Sequence, residues 1–415
     1  MNLDIISIGD ELLIGQTLNT NAHWIASELD KIGFTIRQHI SVSDNKEHII
    51  SALSNSLKNA DVVLITGGLG PTNDDLTMPV LNEYFGGKLI VDKVVYQDIE
   101  KMILGRGYEM NENNKNQALV PDNCKVIRNP NGTAPGLWFE RDNKVVAAMP
   151  GVPFEMKAMI TDTIIPWLKE KYVLPEIVHQ MVLTQGLPES KLAEVIADWE
   201  NQLPRDIKLA YLPSPGRVKL RLSSKGTERV VVQNKINEQV EKLNNIIPQY
   251  IYSLDNRNLE EVVGELLLQK KSTLATAESC TGGYLAHLIT SISGSSDYFK
   301  GAVISYANEI KMNELGIKKT DLDNYGAVSQ QVVEQMALGI LSKFKVDYTI
   351  ATSGIAGPTG GTDDKPVGTI WVAVANKQKV VSQKFKFGQL RSVNIERTAV
   401  SALGMLKNLL EHDSF

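Results

Sequence analysis

The sequence predicts an α/β protein with an N-terminal α/β domain built on a parallel-rich sheet, a small α+β module in the middle and a second α/β domain at the C-terminus. Three observations predict it. The chain has 415 residues, and single cores stop growing beyond about 250 residues. Apolar strand-like runs alternate with helical patterns in the first and last parts of the chain, as parallel strands joined by helices require. The stretch between them breaks that alternation. The boundaries read as 1–170, 171–253 and 254–415.

Taken in order, LDIISIG is a buried strand, and Asn19 to Leu29 is a helix with Thr20 and Asn21 as capping candidates. ADVVLITGG is a second strand that ends in glycines. KVVAAMPG is a third, ending in a Pro-Gly turn before the helical pattern Phe154 to Glu170. In the middle module GLPESKLAEVIADWE reads as a helix, VKLRLS as a strand and 228–245 as a further helix. In the last domain LEEVVGELLLQKK is an amphipathic helix. STLATAES, GAVISY, DYTIATSG and GTIWVAVA are strand-like, and a helix from about Ser392 to Glu411 closes the pattern.

Composition excludes several classes. The formal net charge of −5 gives no global attraction to nucleic acid or anionic lipid. Cys124 and Cys280 are the only cysteines, so no disulfide framework exists and a reducing, cytoplasmic setting is expected. The first residues, MNLDIISIGDELL, carry no basic n-region, and no run is long and apolar enough to span a bilayer.

The C-terminal domain holds the clearest chemistry. Ala277-Glu278-Ser279-Cys280-Thr281-Gly282-Gly283 sits where a strand turns into a helix, at the sheet end where open α/β folds place ligands. The helix that follows is expected to aim unpaired N–H groups at the same spot, where they would stabilise an oxyanion. Ser279, Cys280 and Thr281 are the candidate nucleophiles. A hydroxyl needs a base: His287 lies too far along the helix, while Lys311, if buried, loses its proton and serves. Tyr306, Asn308 and Lys311 follow the end of GAVISY and reach the same sheet edge. Ile355-Ala356-Gly357-Pro358-Thr359-Gly360-Gly361 is a glycine-rich loop able to cradle a phosphate, and Arg391 is placed to clamp one.

In the N-terminal domain three strands end in polar or glycine-rich loops: Gly9-Asp10-Glu11, Thr66 to Asp75, and Met149 to Pro153. A parallel sheet gathers these on one edge. Two carboxylate pairs then face a nest at Gly67-Gly68-Leu69-Gly70, which suits a hard divalent cation shared with phosphate oxygens. Capping of a helix is the competing role for Asp74 and Asp75.

Four ordered motifs over about 256–415 resemble the nicotinamide mononucleotide deamidase domain of the CinA family: AESCTGG, Tyr306-x-Asn308-x-x-Lys311, SGIAGPTGG and KPVGT. The resemblance implies hydrolysis of the carboxamide of nicotinamide mononucleotide to nicotinic acid mononucleotide and ammonia, with no cofactor in that site. It implies Ser279 as nucleophile, Lys311 as its base and Tyr306 as a supporting hydroxyl. Thr281, Gly282, Asn308, Ser353, Gly354 and Arg391 would line the substrate pocket. Many relatives have Gly-Asp-Arg where this chain has Gly388-Gln389-Leu390-Arg391, so Arg397 is the alternative phosphate ligand.

Residues 1–170, with Gly132-Thr133-Ala134-Pro135-Gly136 and MPGVPFEM, resemble the molybdopterin-binding fold of MoaB, MogA and gephyrin in its CinA version. This implies a divalent-metal-dependent ADP-ribose pyrophosphatase. Gly67, Gly68, Gly70, Thr72 and Gly151 would hold nucleotide, and Asp10, Glu11, Asp74 and Asp75 the cation. The middle module resembles a KH domain but shows Ser214-Pro215-Gly216-Arg217 and no Gly-x-x-Gly loop, against RNA binding. The expected partners are small nucleotides, not nucleic acid or membrane, and the expected assembly is a homodimer. Two rival functions are a non-catalytic pterin or nucleotide binder and a competence-related DNA-uptake accessory. The carboxylate pairs argue against the first and the acidic balance against the second.

Overall fold

The computed structural model describes residues 1–72 and 74–412; Asn73, inside the expected glycine-rich loop, lies outside the described residues. The chain divides into two units. One holds Met1–Val178 with Lys225–Val232, and the other His179–Ser224 with the chain from Gln233 on.

The first unit is built on a sheet of order Thr35–Val42, Asn2–Ile8, Val62–Thr66, Lys144–Met149, Gly136–Arg141 and Lys125–Ile127. The first four strands run parallel and the last two antiparallel, so the sheet is parallel-rich with a hairpin edge. Asn2–Ile8 and Val62–Thr66 are buried on both faces, which is why they read as unbroken apolar runs. The helix Thr20–Lys31 begins one residue later than expected. Asn19 is its cap and accepts from the Ala22 N–H, whereas Asn21 reaches across to donate to the Gly151 carbonyl at 2.7 Å. The helical pattern expected over Phe154 to Glu170 forms as Pro153–Met159 and Ile165–Lys171, joined by a π-turn at Ile160–Ile164. Pro166 has no N–H for the Asp162 carbonyl, and a wider turn just before it accommodates the missing bond.

In the second unit Lys208–Ser214 and Arg217–Gly226 form a hairpin within a four-stranded sheet, flanked by the helix Glu189–Asn201. The hairpin tip packs on the closing helix Arg391–His412. Gly216 has φ 78°, and a Cβ there would lie 3.3 Å from Val400 Cγ1, so a side chain meets both strain and a wall. The C-terminal sheet has the order Phe299–Ile304, Leu274–Glu278, Tyr348–Gly354, Thr369–Asn376 and Val380–Lys386. Its first three strands are parallel and its last two antiparallel. Leu259–Gln269 and Arg391–His412 cover one face, through Leu259, Val263, Leu403 and Leu406. Asn308–Leu315 and Gln330–Phe344 cover the other, through Leu315, Val332, Met336 and Ile340. Among the described residues no helix is long and apolar enough to cross a membrane.

Candidate functional site

The pleat of Leu274–Glu278 decides what each residue of the turn does. Successive side chains point to opposite faces. Ala275 and Ala277 pack on the face that carries the helix Asn308–Leu315, so Ser279 continues toward that face. Glu278 points the other way and is fully buried. Its carboxylate accepts from the N–H groups of Gly283, Leu285 and Ala286 at 3.0, 3.1 and 2.8 Å. This corrects the expectation that the helix Tyr284–Thr290 offers free N–H groups to substrate: Glu278 occupies them. The turn amides of Cys280 and Thr281 have no acceptor among the described residues. Glu278→Gln removes one acceptor oxygen from this cap, and leaving a buried amide unpaired costs roughly 1–3 kcal/mol. The melting temperature should fall accordingly, with Glu278→Ala falling further; an unchanged value would show the cap to be dispensable.

Lys311 is 1% exposed, and its Nζ lies 3.1 Å from Ser279 Oγ. Lys311 Nζ also donates to the Ser305 carbonyl at 2.6 Å and to the Tyr306 carbonyl at 3.3 Å. A neutral amine has two N–H groups and one lone pair. The two carbonyls can only accept, so they take both N–H groups, and the lone pair is left facing the Ser279 hydroxyl. Burial favours that neutral form and pushes the Lys311 pKa below its usual 10.5. Among the described residues no carboxylate pairs with Lys311 to restore the charge.

The neighbours sort by the same logic. Cys280 is 5% exposed and points to the opposite face, and burial drives its thiol up to about 12, which leaves it protonated and inert. Thr281 is buried too, its hydroxyl 2.8 Å from that of Thr352, so only its backbone remains for a ligand. The Ser353 hydroxyl donates to the Ala327 carbonyl at 2.7 Å, and Gly354 ends the strand beside it. Gly282 and Asn308 are exposed, Asn308 as the first residue of its helix. His287 is an exposed helix residue near Tyr284, apart from this chemistry.

Arg391 donates to the Gly357 carbonyl at 3.0 Å and to the Tyr306 hydroxyl at 3.1 Å. The Tyr306 hydroxyl is thus committed to Arg391, while its backbone carbonyl serves Lys311. Arg397, the alternative, lies against the Phe387 ring instead, 6.0 Å from its centroid. The buried Asn394 side chain, not singled out from sequence, ties the loop together by donating to the Ala356 and Gly388 carbonyls at 2.9 and 2.8 Å.

The N-terminal unit carries a cavity of about 410 Å³ lined by Glu11, Asp44, Gly68, Asp74, Thr133 and Glu155 among others. Its glycines are needed for close approach: Gly67 has φ 106°, and a Cβ would lie 2.2 Å from the Ile8 carbonyl oxygen. Two expectations need correction. The nest is only partly free, because the Gly67 N–H donates to Met149 and the Gly70 N–H to Asp75. Nor do Asp10, Glu11, Asp74 and Asp75 form one ligand cage, since among the described residues no group of three acids, histidines or cysteines is placed to hold a metal ion. Asp75 instead orders the loop, accepting from the Gly70 N–H, the Thr72 N–H and the Thr72 hydroxyl at 2.8, 2.9 and 2.5 Å. Asp10 starts a short exposed helix and donates its N–H to Asp44. Thr72 is spent on Asp75, and Gly151 lines the cavity with its carbonyl held by Asn21.

Asp44 was missed in the sequence. It follows the strand Thr35–Val42 on the same sheet edge, in a Ser-Asp-Asn turn whose Asn45 caps the next helix. Partial burial and then the charges of Asp10, Glu11 and Asp74 hold its carboxyl above the usual carboxylate value. Asp44 is thus the carboxyl on this edge whose charge its acidic neighbours disfavour.

Three family models match in succession: "Probable molybdopterin binding domain" over residues 4–170, "Damage-inducible protein CinA KH domain" over 179–253 and "CinA C-terminal domain" over 256–410. A CinA-like protein of Flavobacterium psychrophilum is 48% identical across 100% of both chains. A CinA-like protein of Cytophaga hutchinsonii is 46% identical across 98% of each. A crystal structure of the protein CinA from Thermoplasma acidophilum is 34% identical over 41% of this chain and 98% of that one, with a TM-score of 0.37. Near-half identity along whole chains, with all three models in order, makes this chain a member of the CinA family.

Proposed function

We propose that the C-terminal domain is a serine amidase that deamidates nicotinamide mononucleotide. The observation that carries this reading is the buried Lys311 amine, 3.1 Å from Ser279 Oγ, with both of its N–H groups directed at carbonyls. Ser279 Oγ attacks the carboxamide carbon as Lys311 Nζ takes the hydroxyl proton. Lys311 returns that proton to the departing nitrogen, which leaves as ammonia, and an ester to Ser279 remains. Water, deprotonated by the same amine, then cleaves the ester and releases nicotinic acid mononucleotide. The free turn amides of Cys280 and Thr281 supply donors for the oxyanion. Arg391, held by Tyr306 and Gly357 at the same edge, supplies the phosphate clamp.

The N-terminal cavity is read as a metal-dependent ADP-ribose pyrophosphatase site. Glu11, Asp44 and Asp74 line it without forming a three-carboxylate cage, so a cation would come in with the substrate, held by at most two of them together with phosphate and water, and the remaining loop amides of Gly68 and Leu69 would face phosphate. A bound divalent cation would neutralise charge on the phosphoanhydride oxygens. Purified protein is to be given ADP-ribose and nicotinamide mononucleotide in separate reactions, with and without chelator. Chelation should abolish ADP-ribose cleavage and leave deamidation unchanged. Loss of both reactions, or of neither, would contradict the division of labour.

A further inference from the structure

A second cavity of about 410 Å³ lies where the hairpin of the middle module meets the C-terminal domain, apart from both sites above. Phe385 and Phe387 form one wall, stacked with ring centroids 5.5 Å apart and planes inclined by 28°. Arg397 and Ser401 reach it from the helix Arg391–His412, and Ser214 and Arg217 from the hairpin. Both rings are only half-buried, so aromatic surface stays open to the cavity.

The two guanidinium groups differ in their partners. Glu396, next to Arg397, faces Arg217 at 3.7 Å, and Glu260 faces Arg217 at 3.9 Å. Arg217 is thus compensated, although its Nε is buried without a partner. Arg397 has no hydrogen bond or ion pair among the described residues, and its guanidinium lies over the Phe387 ring, 6.0 Å from the centroid. The one acid on the lining, Glu189, is exposed. An open aromatic wall beside an unspent guanidinium fork recognises a flat ring carrying an anion. The volume falls within the range of small-molecule sites, roughly 300–1,000 Å³. One free guanidinium with an acid at the rim favours a single phosphate over a longer chain.

We propose that this cavity binds a nucleoside monophosphate, its base against Phe385 and Phe387 and its phosphate on Arg397. The test is photolabelling of the full chain with an azido derivative of adenosine monophosphate, followed by mapping of the labelled peptides. Label should appear in the segment carrying Phe385 and Phe387, and unmodified adenosine monophosphate should protect that segment far better than adenosine. Arg397→Gln should weaken labelling by about tenfold, the value of a lost charge-assisted contact. Phe387→Leu, which keeps the charge, should weaken it independently, with thermal melts showing that both variants are folded. Labelling confined to the Gly67 to Asp75 loop or to the Tyr306 and Arg391 region would overturn the proposal. So would labelling that both variants leave unchanged.

Discussion

Ser279→Ala should lose deamidation of nicotinamide mononucleotide by at least about a thousandfold, because removing a nucleophile that acts as a unit with its base removes the covalent route altogether. Cys280→Ala, one residue on, should keep most of the activity. The structure gives the reason. The Cys280 thiol is buried on the opposite face, with its pKa pushed up to about 12, so it presents no thiolate to substrate. Steady-state ammonia release for both variants decides the matter: an inactive Cys280→Ala beside an active Ser279→Ala would reverse the assignment.

Much of this was legible in the sequence, for identifiable reasons. Val62–Thr66 and Leu274–Glu278 are fully buried, so their runs are continuous and their ends fall where glycines begin. Ser279 was legible as one of three candidates because the turn is short. What separates it from Cys280 is the alternation of the pleat, together with knowledge of which helix covers which face, and what separates it from Thr281 is the buried contact of that hydroxyl with Thr352. Lys311 was legible only as a position. Its 1% exposure comes from packing of the helix Asn308–Leu315 against the sheet, which periodicity of an eight-residue helix does not reveal. The role of Glu278 was not legible, since a carboxylate in a strand gives no sign that it turns back to cap the following helix. Asp75 was read with the cation ligands because it stands beside Asp74. Its bonds to Gly70 and Thr72 depend on the path of the loop, which spacing does not fix.

Lys311→Arg should be almost inactive, with a loss comparable to that of Ser279→Ala. Arginine keeps the length and charge but does not deprotonate in proteins, so it offers no lone pair to the Ser279 hydroxyl. The wild-type pH profile should carry the matching signature. Activity requires the neutral amine, so kcat/KM rises with pH through the folded-state pKa of Lys311, which burial places below 10.5. Stability carries the same sign. The folded-state pKa is the lower one, so between the two values the unfolded chain binds more protons than the folded chain, and stability rises with pH across that window. The penalty is absent above 10.5 and accumulates as pH falls toward the folded-state pKa. Lys311→Met should lose this part of the pH dependence. Retained activity in Lys311→Arg, or an acid limb that survives in it, would make Lys311 a packing residue.

The most direct test of the Ser279–Lys311 pair is to turn over nicotinamide mononucleotide in the presence of hydroxylamine and chelator, measuring ammonia and all nucleotide products. An ester on Ser279 partitions between water and the stronger nucleophile. Wild-type protein should therefore release ammonia and yield the hydroxamate of nicotinic acid mononucleotide alongside the free acid, while Ser279→Ala yields neither. Ammonia released at an unchanged rate with no hydroxamate at any hydroxylamine concentration, or equal product from the Ser279→Ala variant, would contradict the account.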